Sequence, residues 1–317
     1  MAWLAARGTR ALAWCEEPAA AAREPAPFDL ADITARALDL AGSGGRASGA
    51  AESAAARIVT LAPSNAEIVA ALGAFARVIA CEDSSDHPPE VATRERLGPD
   101  LGPDLDRVAA LAPDLVLSSL SVPGMERVVT GLAVRGVPQL VLAPRSLDEV
   151  LDDVRRVGHA LGVAAAAAAV VAAMEAERAA LRAMAPAEPV PVYLEWWPRP
   201  MFTPGADCYS NELIALAGGR NVFAGRPGSS LEIRADELVA AAPAACFVSW
   251  CGVSEAKLDV HNLIGRAGLK SLAAARAGRV AALDEALSGR PGPRMLAAAR
   301  RMRAALVGFG LLHDPGA

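Results

Sequence analysis

The side chains most able to do chemistry gather in four short segments, and none of them spells a catalytic motif. Residues 193–209 read Tyr-Leu-Glu-Trp-Trp-Pro-Arg-Pro-Met-Phe-Thr-Pro-Gly-Ala-Asp-Cys-Tyr. They hold five aromatic residues of a chain that has only five Trp, two Tyr and six Phe. Aromatic faces with a few polar groups beside them make the lining of a pocket for a large organic ligand. Trp196 and Trp197 are adjacent, and neighbours on a strand face opposite ways, so at most one of them is core. Trp250 and Cys251 close a second apolar run. Glu82-Asp83-Ser84-Ser85-Asp86-His87 follows a third. Its carboxylates and imidazole are metal-ligand types, but consecutive loop residues rarely converge on one ion, so a solvated acidic loop is expected. Gly289-Arg290-Pro291-Gly292-Pro293-Arg294 precedes the last helix, where free N–H groups with Arg290 or Arg294 could hold an amide or an anion. No G-x-S-x-G, H-E-x-x-H or Walker loop is present, and the four histidines are scattered. A non-catalytic protein is expected.

The elements that must position these residues alternate. Ile58-Val-Thr-Leu-Ala62 is a short β-branched run that reads as a buried strand, followed by a helix that Ser64 or Asn65 can cap and Gly73 can end. Further strands are expected at 77–81, 114–119, 138–143, 191–196, 245–251 and 279–284. Helices are expected at 65–72, 105–112, 123–135, 210–217, 235–242 and 293–308. Such alternation predicts an α/β fold with parallel sheets, and the aromatic loop then falls at a strand's carboxyl end, where open α/β sheets bind ligands.

Two echoes split the chain. Asp106-Arg-Val-Ala-Ala-Leu-Ala-Pro113 and Asp236-Glu-Leu-Val-Ala-Ala-Ala-Pro243 each run into a strand ending in Ser, and Ser64-Asn65-Ala-Glu67 resembles Ser210-Asn211-Glu212. Two lobes on one βα plan are expected. Between them Ser146-Leu-Asp-Glu149 forms a capping box, and Val150, Val154, Val157 and Leu161 mark one helix face. A second helix over about 164–184, of ~20 residues and ~30 Å, would join the lobes stiffly. The expected division is an N-terminal appendage at 1–56, one lobe at 57–146, a helical linker at 147–189 and a second lobe at 190–312.

Composition sets the outer limits. The chain has 317 residues, 53% hydrophobic and 21% charged, enough for a buried core. Its net charge is −5 with no basic block, so no nucleic-acid partner is expected. The uncharged run Ala160–Met174 is shorter than the ~20 residues of a membrane span. Five cysteines at irregular spacing argue for free thiols. Arg7 and Arg10 interrupt the apolar start, so no export-signal pattern is read there.

Residues 57–312 resemble the bilobal periplasmic binding proteins for vitamin B12 and ferric siderophores, the helical-linker class that serves ABC importers. Arg57-Ile-Val-Thr-Leu-Ala-Pro-Ser-Asn-Ala-Glu67, Ser85-Asp86-His87-Pro88-Pro89, Leu111-Ala-Pro-Asp-Leu-Val116, Phe202-Thr-Pro-Gly205 and Gly218-Gly-Arg-Asn-Val-Phe223 carry the likeness, in order. The Trp-Trp-Pro loop and the late Pro-Arg look most like the cobalamin-binding branch. The resemblance implies two Rossmann-like lobes joined by a single long helix, with the ligand in the cleft between them. Ser85, Asp86 and His87 would line one wall; Trp196, Trp197, Phe202, Trp250, Cys251 and Arg290 would line the other. Asp106 and Asp236 would dock onto the permease of the importer. The implied ligand is cobalamin or a related corrinoid, with no cofactor or bound metal, and the protein is expected as a monomer. A haem or ferric-siderophore ligand, or an intracellular cobalamin-handling role, are the alternatives. The family implies an extracytoplasmic place of work, whereas the start of the chain points to the cytoplasm.

Overall fold

The computed structural model describes residues 55–313. The expected appendage lies outside them except for two residues. Ala55 is buried against the core, and the Ala56 and Arg57 N–H groups donate to Asp114 Oδ2 at 2.9 and 2.8 Å. The packed lobe therefore begins slightly before residue 57.

The N-terminal lobe runs β1 (Ile58–Thr60), α1 (Pro63–Ala71), β2 (Val78–Cys81), β3 (Glu95–Arg96), α2 (Leu105–Ala110), β4 (Leu115–Ser119), α3 (Glu126–Val134) and β5 (Gln139–Leu142). Its five strands form a parallel sheet in the order β3-β2-β1-β4-β5. Successive strand residues serve opposite faces, as the pleat requires. Ile58 and Leu117 join the main core, while Val59 and Val116 join a smaller cluster under α2 and α3.

Two helices follow, α4 (Leu147–Ala160) and α5 (Ala164–Ala183). The Ser146 hydroxyl caps α4 by accepting from the Glu149 N–H at 3.2 Å, and the Glu149 carboxylate accepts from the Arg145 N–H at 2.7 Å, one residue beyond the expected box. The chain turns at Gly162, whose φ of 66° suits glycine. The two helices then pack so closely that a Cβ at Gly158 would stand 2.3 Å from that of Ala167. The 20 residues of α5 carry the connection between the lobes. Val150, Val154 and Val157 of α4 and Val170, Met174 and Leu181 of α5 belong to one hydrophobic cluster that continues into both lobes.

The C-terminal lobe runs β6 (Val190–Glu195), β7 (Trp197–Pro198), β8 (Met201–Pro204), α6 (Ser210–Leu216), β9 (Gly219–Asn221), β10 (Ser230–Ile233), α7 (Ala235–Ala241), β11 (Ala245–Val248), α8 (His261–Ile264), α9 (Ala273–Arg276), β12 (Val280–Ala282), α10 (Glu285–Ser288) and α11 (Leu296–Gly308). A parallel sheet, β12-β11-β6-β9, stands beside an antiparallel ribbon, β10-β8-β7. The ribbon corrects the expectation of a Pro-broken loop after residue 196. Pro198 and Pro204 close their strands, where a missing N–H does least harm to a ladder.

The sequence echo is repeated in the backbone. Ala112 and Ala242, each just before the shared proline, adopt left-handed φ values of 45° and 46°. Proline disfavours αR in the residue before it, so the helix stops there and the chain turns into the next strand.

Candidate ligand-binding cleft

The carboxyl ends of the two parallel sheets face each other. Glu82–Pro88 follows β2 in one lobe; Trp196, Trp250 and the segment 283–294 follow β6, β11 and β12 in the other. A line of ion pairs crosses the gap. Arg290 grips Asp86 with both terminal nitrogens, at 2.5 and 3.1 Å, and donates to Glu67 Oε1 at 3.1 Å. Arg294 reaches the same Glu67 oxygen at 3.0 Å. Glu285 Oε2 stands 3.6 Å from Arg290 Nε.

Glu67 lies on α1 and is 1% exposed, and its second oxygen has no hydrogen-bond partner. Burial pushes its carboxyl up to about 7, against the pull of Arg294 and Arg290. Burial also opposes ionisation of Asp86, but the Arg290 hydrogen bonds and charge prevail and hold it below the usual carboxylate range. Burial, then Arg294, pushes the half-buried His87 imidazole down, so it is neutral near pH 7.

The loop before it is not a solvated acidic loop. Glu82 is fully buried and accepts from the Ser85 hydroxyl and from the N–H groups of Ser84 and Ser85. A buried carboxylate needs such donors, and here they fold the loop. Ser85 is 2% exposed, with its hydroxyl spent on Glu82 and its carbonyl taken by Arg96 at 2.9 Å. It builds the wall from behind and leaves the surface to Asp86 and His87. Among the described residues, no group of three His, Cys, Asp or Glu is arranged to hold a metal ion.

The expected aromatic residues all belong to the C-terminal lobe. Trp197 and Phe202 are paired across β7 and β8, and both are half-buried. Trp196 packs against the main core, and its indole nitrogen is enclosed without an acceptor. Trp250 borders a cavity of about 240 Å³ shared with Pro198, Arg199, Asn262 and Arg266. Cys251 is open to solvent, yet crowding pushes its thiol up, and the carboxylates of Glu285 and Asp100, one from each lobe, add to the effect. A protonated thiol is a poor metal ligand.

Asp106 and Asp236 sit in the first turns of α2 and α7, one on each lobe, with side chains 86% and 70% exposed. Each pairs with an arginine of its own lobe: Asp106 with Arg135 at 2.8 Å and Asp236 with Arg234 at 3.0 Å.

Sequence reasoning missed Glu67, Glu195 and Arg266. The signal was present for two of them: Glu67 is a charge inside the apolar run Ala66–Val69, and Glu195 ends the apolar strand β6. Nothing near Arg266 marks it, because its partner lies 71 residues away.

Comparison with known proteins agrees with this architecture. The vitamin B12-binding protein of Photorhabdus laumondii subsp. laumondii is 26% identical over 194 residues, covering 61% of this chain and 70% of that protein. The periplasmic heme-binding protein RhuT from Roseiflexus sp. RS-1, solved in apo form, superposes with a TM-score of 0.70 at 28% identity, over 80% of this chain and 98% of that one. The periplasmic vitamin B12 binding protein BtuF of Vibrio cholerae superposes with a TM-score of 0.67 at 24% identity, over 81% and 98%, a likeness of fold. The profile of the periplasmic binding protein family spans residues 58–287. With its two α/β lobes, helical connection and facing strand ends, the chain belongs to that family.

Proposed function

We propose that this protein captures cobalamin or a related corrinoid between its lobes and delivers it to an ABC importer, without catalysis. The observations that support the reading are aromatic residues Trp197, Phe202 and Trp250 in one lobe and polar residues Asp86 and His87 in the other, with Arg290 reaching Asp86 across the gap. A corrin ring offers broad apolar faces to the first and a fringe of amides to the second. Relatives named as vitamin B12-binding proteins support it. The division into lobes at 57–146 and 190–312 with a linker at 147–189, action as a monomer, and work outside the cytoplasm belong to the same proposal. So does docking through Asp106 and Asp236, whose ion pairs with Arg135 and Arg234 would be exchanged for permease arginines.

Haem is the second reading. It is favoured by the likeness to RhuT and by a neutral imidazole at His87, a metal-ligand type, on the cleft wall. Titrating the protein with hydroxocobalamin and with haemin, following absorbance and tryptophan quenching, separates the two. Saturable quenching by hydroxocobalamin alone is the expected result. Saturation by haemin alone, with a shifted haem absorption band that His87→Ala abolishes, would replace the first reading with the second.

A further inference from the structure

The indole N–H of Trp250 does not point into the cleft. It donates to Glu195 Oε1 at 3.0 Å. Glu195 ends β6 and is completely buried. Arg266 clamps it from below with both terminal nitrogens, Nη2 to Oε1 at 2.8 Å and Nη1 to Oε2 at 2.7 Å. Tyr193, also fully buried, donates its hydroxyl to Oε2 at 3.0 Å. Each oxygen thus takes two donors, and a carboxylate has about four such sites in all. The donors come from three separate stretches: β6 itself, the second residue past β11, and the segment after α8.

The Glu195 backbone joins the same two segments. Its carbonyl accepts from the Ser249 N–H at 2.8 Å, and the next residue's carbonyl accepts from the Cys251 N–H at 3.2 Å. Both Trp-bearing segments are therefore tied to one point. Replacing a buried ion pair by apolar groups of like volume often leaves stability unchanged or raises it. Orientation is what this pair supplies.

We propose that Glu195 and Arg266 are positioning residues for the ligand wall. They hold the Trp250 indole with its N–H turned inward, so that the wall offers ring carbon and no hydrogen-bond donor at that point. At that point the wall stacks on a flat conjugated ring, while the cavity beside it keeps Arg199 and Asn262 as donors. This rests on the reading that Trp250 meets the ligand, and the experiment separates the two claims.

The full chain is labelled with ¹⁵N, and the Trp250 indole signal is assigned by its loss in Trp250→Phe. Hydrogen exchange at that indole needs no ligand. It should be protected in the wild type and speed up by about tenfold or more in Arg266→Lys, which keeps the charge but loses the fork. Hydroxocobalamin and haemin are then titrated into wild type, Arg266→Lys, Trp250→Phe and the double variant. Affinity for the bound probe should fall by about tenfold in Arg266→Lys, and by less than about twofold when the same change is made on Trp250→Phe. If Arg266→Lys fails to fold, Glu195→Leu with Arg266→Met removes the pair together and is read in the same way. Unchanged indole exchange, or an equal affinity loss with and without Trp250, would overturn the proposal. If the wild type binds neither probe, the cobalamin and haem readings fall, and indole exchange alone decides the clamp.

Discussion

The two lobes share one βα plan, yet the walls they turn toward each other are built differently. The N-terminal wall is ionic: Glu67 and Asp86 meet Arg290 and Arg294 of the other lobe. The C-terminal wall is aromatic and is held within its own lobe, by an antiparallel ribbon that the N-terminal lobe lacks and by the buried Glu195. Charges that reach across a gap decide how two bodies meet; rings fixed to one body supply the area that holds a ligand. On the proposed function the contrast gives closure to one wall and affinity to the other, and it can be broken at several points.

The largest effect is expected on the aromatic side. Trp197→Ala should weaken hydroxocobalamin binding by roughly 30- to 1000-fold, the ~2–4 kcal/mol of a desolvated aromatic hot spot, with little change in melting temperature. Trp196→Ala should do the reverse, because that ring packs on the core. If Trp196→Ala lost affinity at full stability and Trp197→Ala did not, the two assignments would be exchanged.

The ionic side should show itself through pH. The Glu67 carboxyl is raised from 4.5 to about 7 by burial. A raised carboxyl binds its proton more tightly in the folded state, so its contribution to stability is complete below about pH 4.5. That contribution is lost as pH rises through about 7, by about 3 kcal/mol in all. Glu67→Gln should flatten melting temperature against pH across that window. An unchanged pH profile would show that Arg290 and Arg294 keep the carboxylate charged throughout.

The ribbon offers a backbone test. A Cβ at Gly205 would stand 2.2 Å from the Gly228 carbonyl oxygen and 3.0 Å from Leu231 Cγ, whereas one at Gly102 in the other lobe would meet nothing within 4 Å. Gly205→Ala should cost about 1–3 kcal/mol in chemical denaturation and Gly102→Ala less than about 0.5 kcal/mol. Equal costs would mean that the ribbon yields as easily as an open loop.

The smallest effect on the isolated protein is expected at the docking positions. Asp106→Arg with Asp236→Arg should leave melting temperature and ligand affinity as they were, because exposed pairs contribute little. The double variant should still abolish stimulation of the importer. Loss of ligand binding instead would give these aspartates a structural role.

Much of the fold was legible because parallel strands and amphipathic helices announce themselves locally. The first three residues of the run Ile58–Ala62, the valine spacing of α4 and the Ala-rich α5 folded where their patterns put them. The ribbon was not legible. Pro198, Pro200 and Pro204 read as strand breakers, and only pairing with the distant β10 makes Met201–Pro204 a strand. Of the candidate site, the aromatic cluster stood out by composition alone, whereas the Ser85 hydroxyl was expected at the surface and is spent on the buried Glu82.

The sequence by itself determined the α/β alternation, the two-lobe echo and the segments that reach the cleft, since each depends on contacts between residues near in the chain. Tertiary structure alone decided which charges meet. Glu67 and Arg290 are 223 residues apart, and Glu195 and Arg266 are 71. A buried carboxylate needs a donor and is indifferent to where along the chain that donor lies, so no local pattern names the partner. Packing brought the partners together, and with them the way the lobes meet and the way Trp250 faces.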